Sequence, residues 1–265
     1  MTDYSGFTEI GVTIDGIVAT VEIRRPPNNF FDALLIAEIA SAFEKLDADP
    51  ACRAIVLAAQ GRHFCAGADF SKRMDTGTVQ ESAKSGAGKH LYKEAARLFR
   101  TAKTVVGAIQ GAAIGGGLGL ALVPDFRVTC SEGRFSANFN RLGFHPGFAL
   151  THTLPRLVGV QQATLLFYTG RRIGGDEAVK IGLADLLVPH TEVRSAAQAL
   201  ALEIAQSAPL AVMATRETMR RGLVDAVEAA TERELVEQDW LRQTEDFREG
   251  IKAYAERRLP DFKAR

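Results

Sequence analysis

The chain has 265 residues, of which 46% are hydrophobic and 24% charged, which excludes a disordered chain, a collagen-like fibre and a coiled-coil rod. Its 32 Lys and Arg residues balance 32 Asp and Glu residues, so no nucleic acid is expected as a partner. This length fits one large core with at most a small appendage.

Cys52, Cys65 and Cys130 are far apart and form no CxxC pair, so neither a disulfide framework nor a zinc site is expected. Residues 1–16 hold no basic segment followed by an apolar run, and a cytoplasmic protein with reduced thiols is expected. Ile10, Val12 and Ile14, then Ala19, Val21 and Ile23, alternate with polar or small residues as half-buried strands do. Asp15-Gly16 between them suits the type I′ turn of a hairpin. Asp32 is placed to cap a helix carrying Ile36, Ile39, Phe43 and Leu46 at helical spacing. Arg53–Ala59 reads as a buried strand, and a loop runs from Gln60 to Asp69. Residues 71–89 are polar and without periodicity, predicting a mobile loop before a helix over 90–102.

Val105–Val123 carries no charge and has GxxxG spacing at Gly107, Gly111 and Gly115. Its glycines and Gln110 dilute the apolar character, so strand, turn and buried helix are expected in place of a membrane span. A new strand begins near Asp125 and Arg127. From about Gly159 the pattern is mostly helical, with a short helix from Asp176 to Gly182, a last strand over Ala184–Val188, and helices over 192–207, 209–221 and 223–244. Strands first and helices later predict an α/β core with a helical C-terminal part.

Two glycine-bearing loops stand out. Gly115-Gly116-Gly117 follows a strand and opens an apolar helix, whose unpaired N–H groups favour an anion, either a phosphate or a developing oxyanion. The dinucleotide fingerprint GxGxxG fails because position 120 is leucine, and no GxxxxGK[ST] occurs, so the oxyanion is the stronger reading.

Together these segments resemble the enoyl-CoA hydratase/isomerase, or crotonase, superfamily. Arg25-Pro26-Pro27-Asn28-Asn29 resembles its RPxxNA segment, Phe64–Phe70 its FxAGADx loop, and Gln110–Gly117 its GxAxGGG turn. Pro124–Arg127, Leu142–Gly147, Leu154–Gly159, Phe247–Ile251 and Arg257–Phe262 resemble later family segments in the right order. The resemblance spans nearly the whole chain. It implies an α/β crotonase-like (ClpP/crotonase) spiral of ββα turns over residues 1–200. Residues 201–265 would form a helical region packing between subunits of a homotrimer or hexamer. The implied partner is an acyl-CoA thioester; coenzyme A enters as part of the substrate, and no separate cofactor or membrane is expected.

The resemblance also implies site residues. The N–H groups of Ala68 and Gly116 would grip the thioester oxygen as enolate charge develops on it, an arrangement worth about 3–4 kcal/mol per donor in comparable oxyanion holes. Arg25, Pro27, Ala66, Gly67, Asp69, Phe70, Ile114, Gly115, Phe139, Leu142 and Lys263 would line the substrate, with Arg25 near a CoA phosphate and Lys263 near the CoA of a neighbouring subunit.

The sequence departs from the family at the two hydratase glutamates, where Gly119 and Phe139 stand, and at a third acidic position, where Gly147 stands. Neither glycine nor phenylalanine transfers protons, so efficient two-glutamate hydration is not expected. His145, in the same loop, is the candidate proton carrier. The resemblance sets the segment of His90, Tyr92 and Glu94 along the acyl pocket, while His90 and Glu94, one helical turn apart, read by themselves as a solvated face. Asn138 and Asn140 beside Phe139 read either as hydrogen-bond donors to a substrate or as turn caps. Asp69 and Asp125 read as structural or CoA-contacting, and Cys65, lacking a paired base, as inert packing. Isomerisation, hydration by another base, C–C cleavage and thioester hydrolysis remain open. So do a non-catalytic acyl-CoA-binding role and β-diketone hydrolysis without CoA.

Overall fold

The computed structural model describes residues 2–69 and 91–265. The chain opens with a hairpin of β1 (Ile10–Asp15) and β2 (Val18–Ile23), in the register that pairs Val12 with Val21. Asp15 is still in the strand, and Gly16-Ile17 makes the connection. Only Gly16 takes a positive φ, +56°, so the expected type I′ turn does not form: β-branched Ile17 disfavours the second left-handed position that this turn needs. Helix α1 (Ala33–Ala48) starts where Asp32 Oδ1 accepts the Leu35 N–H at 3.0 Å, and it buries Leu35, Ile36, Ile39, Phe43 and Leu46.

The strands β3 (Ala54–Ala59), β4 (Thr104–Ile109), β6 (Phe126–Thr129) and β9 (Leu186–Leu187) extend β2 into a parallel sheet, with order β1-β2-β3-β4-β6-β9. β3 and β4 are buried on both faces, which explains their continuous apolar sequences. A smaller sheet joins β5 (Ala112–Ile114), β7 (Arg134–Ser136) and β8 (Ile173–Gly174), with Cys65 bridged to Ala113 at its edge. Successive passes therefore place a segment in the large sheet, a segment in the small sheet, then a helix. The helices are α2 (Leu91–Leu98) after β3 and Cys65, and α3 (Gly116–Ala121) after β4 and β5. This repetition is the expected ββα spiral. The charge-free stretch 105–123 is divided among β4, β5 and α3, and among the described residues no single helix is long and apolar enough to cross a membrane.

Helix α4 (Leu150–Thr169) begins nine residues before the expected helical region, and it breaks at Gly159, whose φ of +76° is non-helical. After α5 (Gly175–Lys180) come α6 (Val193–Ala205), α7 (Pro209–Met219) and α8 (Leu223–Leu241). Helix α6 covers one face of the large sheet through Val193, Ala197, Ala201 and Ala205. The sequence reading missed α9 (Glu245–Ala255) as a separate helix. Its signal was present: Thr244 Oγ1 accepts the Phe247 N–H at 3.1 Å, and Glu245 and Asp246 fill the first turn. Leu223 and Val227 of α8 and Phe247 of α9 join the same apolar cluster as β2 and α1.

Candidate functional site

The loop 65–69 crosses directly over the β5–α3 turn. The Cys65 N–H donates to Ala112 O at 2.8 Å, and the Ile114 N–H donates to Cys65 O at 3.1 Å. Gly67 has φ +93°, and a Cβ there would stand 2.7 Å from Ile114 O. A Cβ on Gly117 would stand 2.1 Å from Cys65 O. Glycine at both positions is thus what allows the two main chains to touch.

The Gly115 N–H is used up by Ser136 O at 2.8 Å. The Gly116 and Ala68 N–H groups meet no protein acceptor among the described residues. Both residues open onto one cavity of about 750 Å³, within the range of small-molecule sites.

Of the residues expected at the substrate, Ala66, Gly67, Ala68, Asp69, Ile114, Gly115, Gly116, Phe139 and Leu142 line this cavity. Phe70 lies outside the described residues, as do the 71–89 segment and His90. Arg25, Pro27, Lys263 and His145 are not brought to the wall. Arg25 is held by Glu9 at 2.8 Å and Asp32 at 2.9 Å. Lys263 pairs with Asp261 at 2.9 Å, on the exposed C-terminal segment. The His145 ring is 2.8 Å from Pro146 O, and its own carbonyl accepts from Gln238 Nε2 at 2.8 Å, so His145 belongs to the contact with α8.

Tyr92, in the segment that the resemblance sets along the acyl pocket, lines the cavity. The wall also holds residues that sequence reasoning did not select: Phe30, Phe31 and Phe144, which with Tyr92 make it aromatic, and Arg62, Arg134 and Arg172, which place positive charge around it. His63 lines the cavity as well; burial, then the neighbouring Arg62, hold its pKa below the usual imidazole value, so it is neutral near pH 7. The clustering of arginines from three separate segments has no sequence periodicity by which it could have been found.

Positions 119 and 147 have no room for a side chain. A Cβ on Gly119 would stand 2.6 Å from Phe148 Cβ. A Cβ on Gly147 would stand 2.3 Å from the Tyr92 hydroxyl and 2.6 Å from Gln238 Nε2. Phe148 packs edge-on against Phe31 at 5.9 Å and against Tyr92 at 6.3 Å between ring centres. Phe139 packs edge-on against Phe144 at 5.3 Å.

Phe148 and Ala149 both take positive φ, +65° and +55°. Glu234 of α8 holds this strained bend: it accepts the Ala149 N–H at 2.7 Å, the Thr151 N–H at 2.9 Å and the Thr151 hydroxyl at 2.6 Å. Burial pushes the Glu234 carboxyl up to about 7, against the pull of those donors.

Asp125 and Glu94 have structural partners, and the Cys65 thiol is buried. Asp125 is bound by Arg216 at 2.9 Å, Arg220 at 2.8 Å and the Val105 N–H at 2.9 Å. Glu94 is buried and pairs with Arg97 of its own helix. Burial pushes the Cys65 thiol up to about 12, which makes it a poor nucleophile. No group of His, Cys, Asp or Glu among the described residues is arranged to hold a metal.

The family model described as enoyl-CoA hydratase/isomerase matches residues 13–265. The chain is 32% identical over 256 residues to a probable enoyl-CoA hydratase of Bacillus subtilis, covering 96% of this chain and 98% of that one. It is 34% identical over 261 residues to a carnitinyl-CoA dehydratase of Proteus mirabilis, covering 96% and 98%. Among solved structures, an enoyl-CoA hydratase/isomerase of Pseudoalteromonas atlantica superposes with a TM-score of 0.85 at 27% identity, covering 97% of this chain and all of that one (100%). A carnitinyl-CoA hydratase of Mycobacterium avium superposes with a TM-score of 0.84 at 30% identity, covering 97% and 99%.

Proposed function

The chain belongs to the enoyl-CoA hydratase/isomerase family, and on that footing we propose that it binds an acyl-CoA thioester in the cavity beside α3 and draws the reaction through a thioester enolate. The observation that carries this reading is the pair of N–H groups, on Ala68 and Gly116, that open onto one cavity without a protein acceptor among the described residues. A carbonyl oxygen that accepts from both gains most when it becomes an enolate oxygen, because the donors are fixed in place by the crossing main chains.

Arg62, Arg134 and Arg172 supply the positive charge that the phosphates of CoA require, and aromatic walls suit an apolar acyl group. With Gly119, Phe139 and Gly147 at the acidic positions, water is not activated by paired carboxylates, and efficient hydration is not the proposed activity. We further propose that the chain assembles as a trimer or hexamer, since Val160 and Tyr168 of α4 and Leu210 and Met219 of α7 each leave more than seven-tenths of their surface exposed in the single chain.

Two measurements test the reading. Calorimetry with CoA and crotonyl-CoA is expected to show binding of both; no binding of either would favour a β-diketone hydrolase that does not use CoA. Infrared spectra of bound crotonyl-CoA labelled with 13C at the thioester carbonyl are expected to show that band shifted to lower frequency. An unshifted band would remove the two-amide carbonyl site. Binding with a shifted band but no turnover of any enoyl-, aryl- or β-keto-acyl ester would indicate a non-catalytic acyl-CoA binder.

A further inference from the structure

We infer that Tyr92 is the proton-transferring residue of this cavity, with Gln238 and Arg242 as its positioning residues. The inference rests on the enolate reading above and deepens it by naming the group that moves the proton. Tyr92 is 5% exposed and lines the cavity with Ala68 and Gly116. Its hydroxyl occupies the place from which a side chain at Gly147 would rise, 2.3 Å from that Cβ position. The space of a missing acid is thus taken by another ionisable group from a different helix.

The hydroxyl is oriented from α8. Gln238 Nε2 lies 3.3 Å from it and Gln238 Oε1 3.5 Å, the amide N–H being the nearer partner, and the second N–H of the same amide donates to His145 O at 2.8 Å. Gln238 Oε1 is taken by a guanidinium N–H of Arg242. An amide whose oxygen is bound to a cation turns its N–H toward the tyrosine oxygen, and that donor stabilises the phenolate. Arg242 stacks over Phe144 at 5.5 Å, which fixes the far end of the chain of contacts.

With one such group, the reaction class that follows is a proton shift within the acyl chain. The Tyr92 phenolate takes an α-proton from a β,γ-unsaturated thioester. The C–H electron pair becomes a Cα–C1 double bond, and the C1–O π pair moves to oxygen, facing Ala68 and Gly116. The Tyr92 phenol then returns the proton to Cγ, the carbonyl re-forms, and the double bond rests between Cα and Cβ. The phenolate is regenerated, and neither water nor a second reactant is consumed.

The test uses the full chain with butyryl-CoA in D2O and with cis-3-hexenoyl-CoA. Wild type is expected to exchange the α-protons and to move the double bond. Tyr92→Phe is expected to slow both at least about 100-fold, the scale of acid–base residues, with KM within about threefold and the infrared carbonyl shift intact. Gln238→Leu is expected to lower kcat at unchanged KM, with Gln238→Glu recovering part of the loss. Wild-type rates in Tyr92→Phe would overturn the assignment while leaving the carbonyl site standing, as would a wild type that shifts the carbonyl band yet exchanges no proton. An unshifted band in wild type would overturn the enolate reading and this assignment together.

Discussion

Phe148 stands where a side chain on Gly119 would begin, with 2.6 Å between Phe148 Cβ and the Cβ that residue 119 lacks. A side chain at position 119 is therefore excluded by the packing of Phe148. Placing an acid there takes more than one substitution.

Gly119→Glu alone is expected to destabilise the protein by about 2 kcal/mol or more through overpacking, without gaining hydratase activity. Phe148→Ala alone is expected to cost about 3–5 kcal/mol through the space it leaves. Because the two side chains compete for one volume, the double variant is expected to lose at least about 1 kcal/mol less than the sum of the two. Urea unfolding of the four proteins measures this, and simple additivity would show that the two positions do not share the space.

The buried Glu234 sets a pH dependence. Its folded pKa, about 7, lies above the usual carboxylate value, so the stability associated with its proton is present in full below about 4.5 and is lost as pH rises through 7. The slope reaches at most about 1.4 kcal/mol per pH unit inside that window. Glu234→Gln, which removes the titrating proton and keeps an oxygen for one of the two N–H groups that Oε1 and Oε2 accept separately, is expected to flatten this part of the stability–pH curve. Equal slopes in both proteins over pH 5–7 would show that Glu234 titrates normally.

Arg127, a residue of β6, is fully buried. It donates to Leu183 O at 2.7 Å, Pro124 O at 2.8 Å and Asp125 O at 3.1 Å, and pairs with Asp185 at 3.2 Å. Arg127→Met leaves these carbonyls without donors and is expected to cost about 3–5 kcal/mol. Lysine, a single point donor, is expected to recover less than half of that. Denaturation midpoints decide it; a loss under 1 kcal/mol for methionine would mean that water replaces the guanidinium.

His145 lies in the predicted loop but outside the cavity wall. His145→Ala is therefore expected to leave kcat/KM within about twofold, the scale of a 0.5 kcal/mol surface change. A drop of 100-fold would place the imidazole on the reacting atoms.

Much of this architecture was legible in the sequence because its causes are local. Period-two alternation gave the hairpin, Asp32 marked the start of α1, and β3 announced itself as an unbroken apolar run. The glycines at 67 and 117 marked the place where two backbones meet, since a Cβ at either would strike the other main chain. The remainder depends on contacts between distant segments. Phe148 reaches back to Gly119, Tyr92 reaches forward to Gly147, and Gln238 comes from the far end of the chain. None of these pairings leaves a pattern in one sequence. His145 illustrates the limit: Leu142 and Phe144 face the cavity, but the left-handed turn at Gly143, φ +77°, leads into a segment whose next residue bonds to α8.

The hydrogen-bonded crossing of Cys65 with β5 carries one further implication. On the proposed reading, the grip on the carbonyl is written entirely in peptide groups, whereas the proton chemistry is written in side chains borne by α2 and α8. Point substitution can rewrite the second set while the first passes unchanged through generations. A scaffold divided in this way can drift from one reaction to another without ever losing its hold on the substrate class.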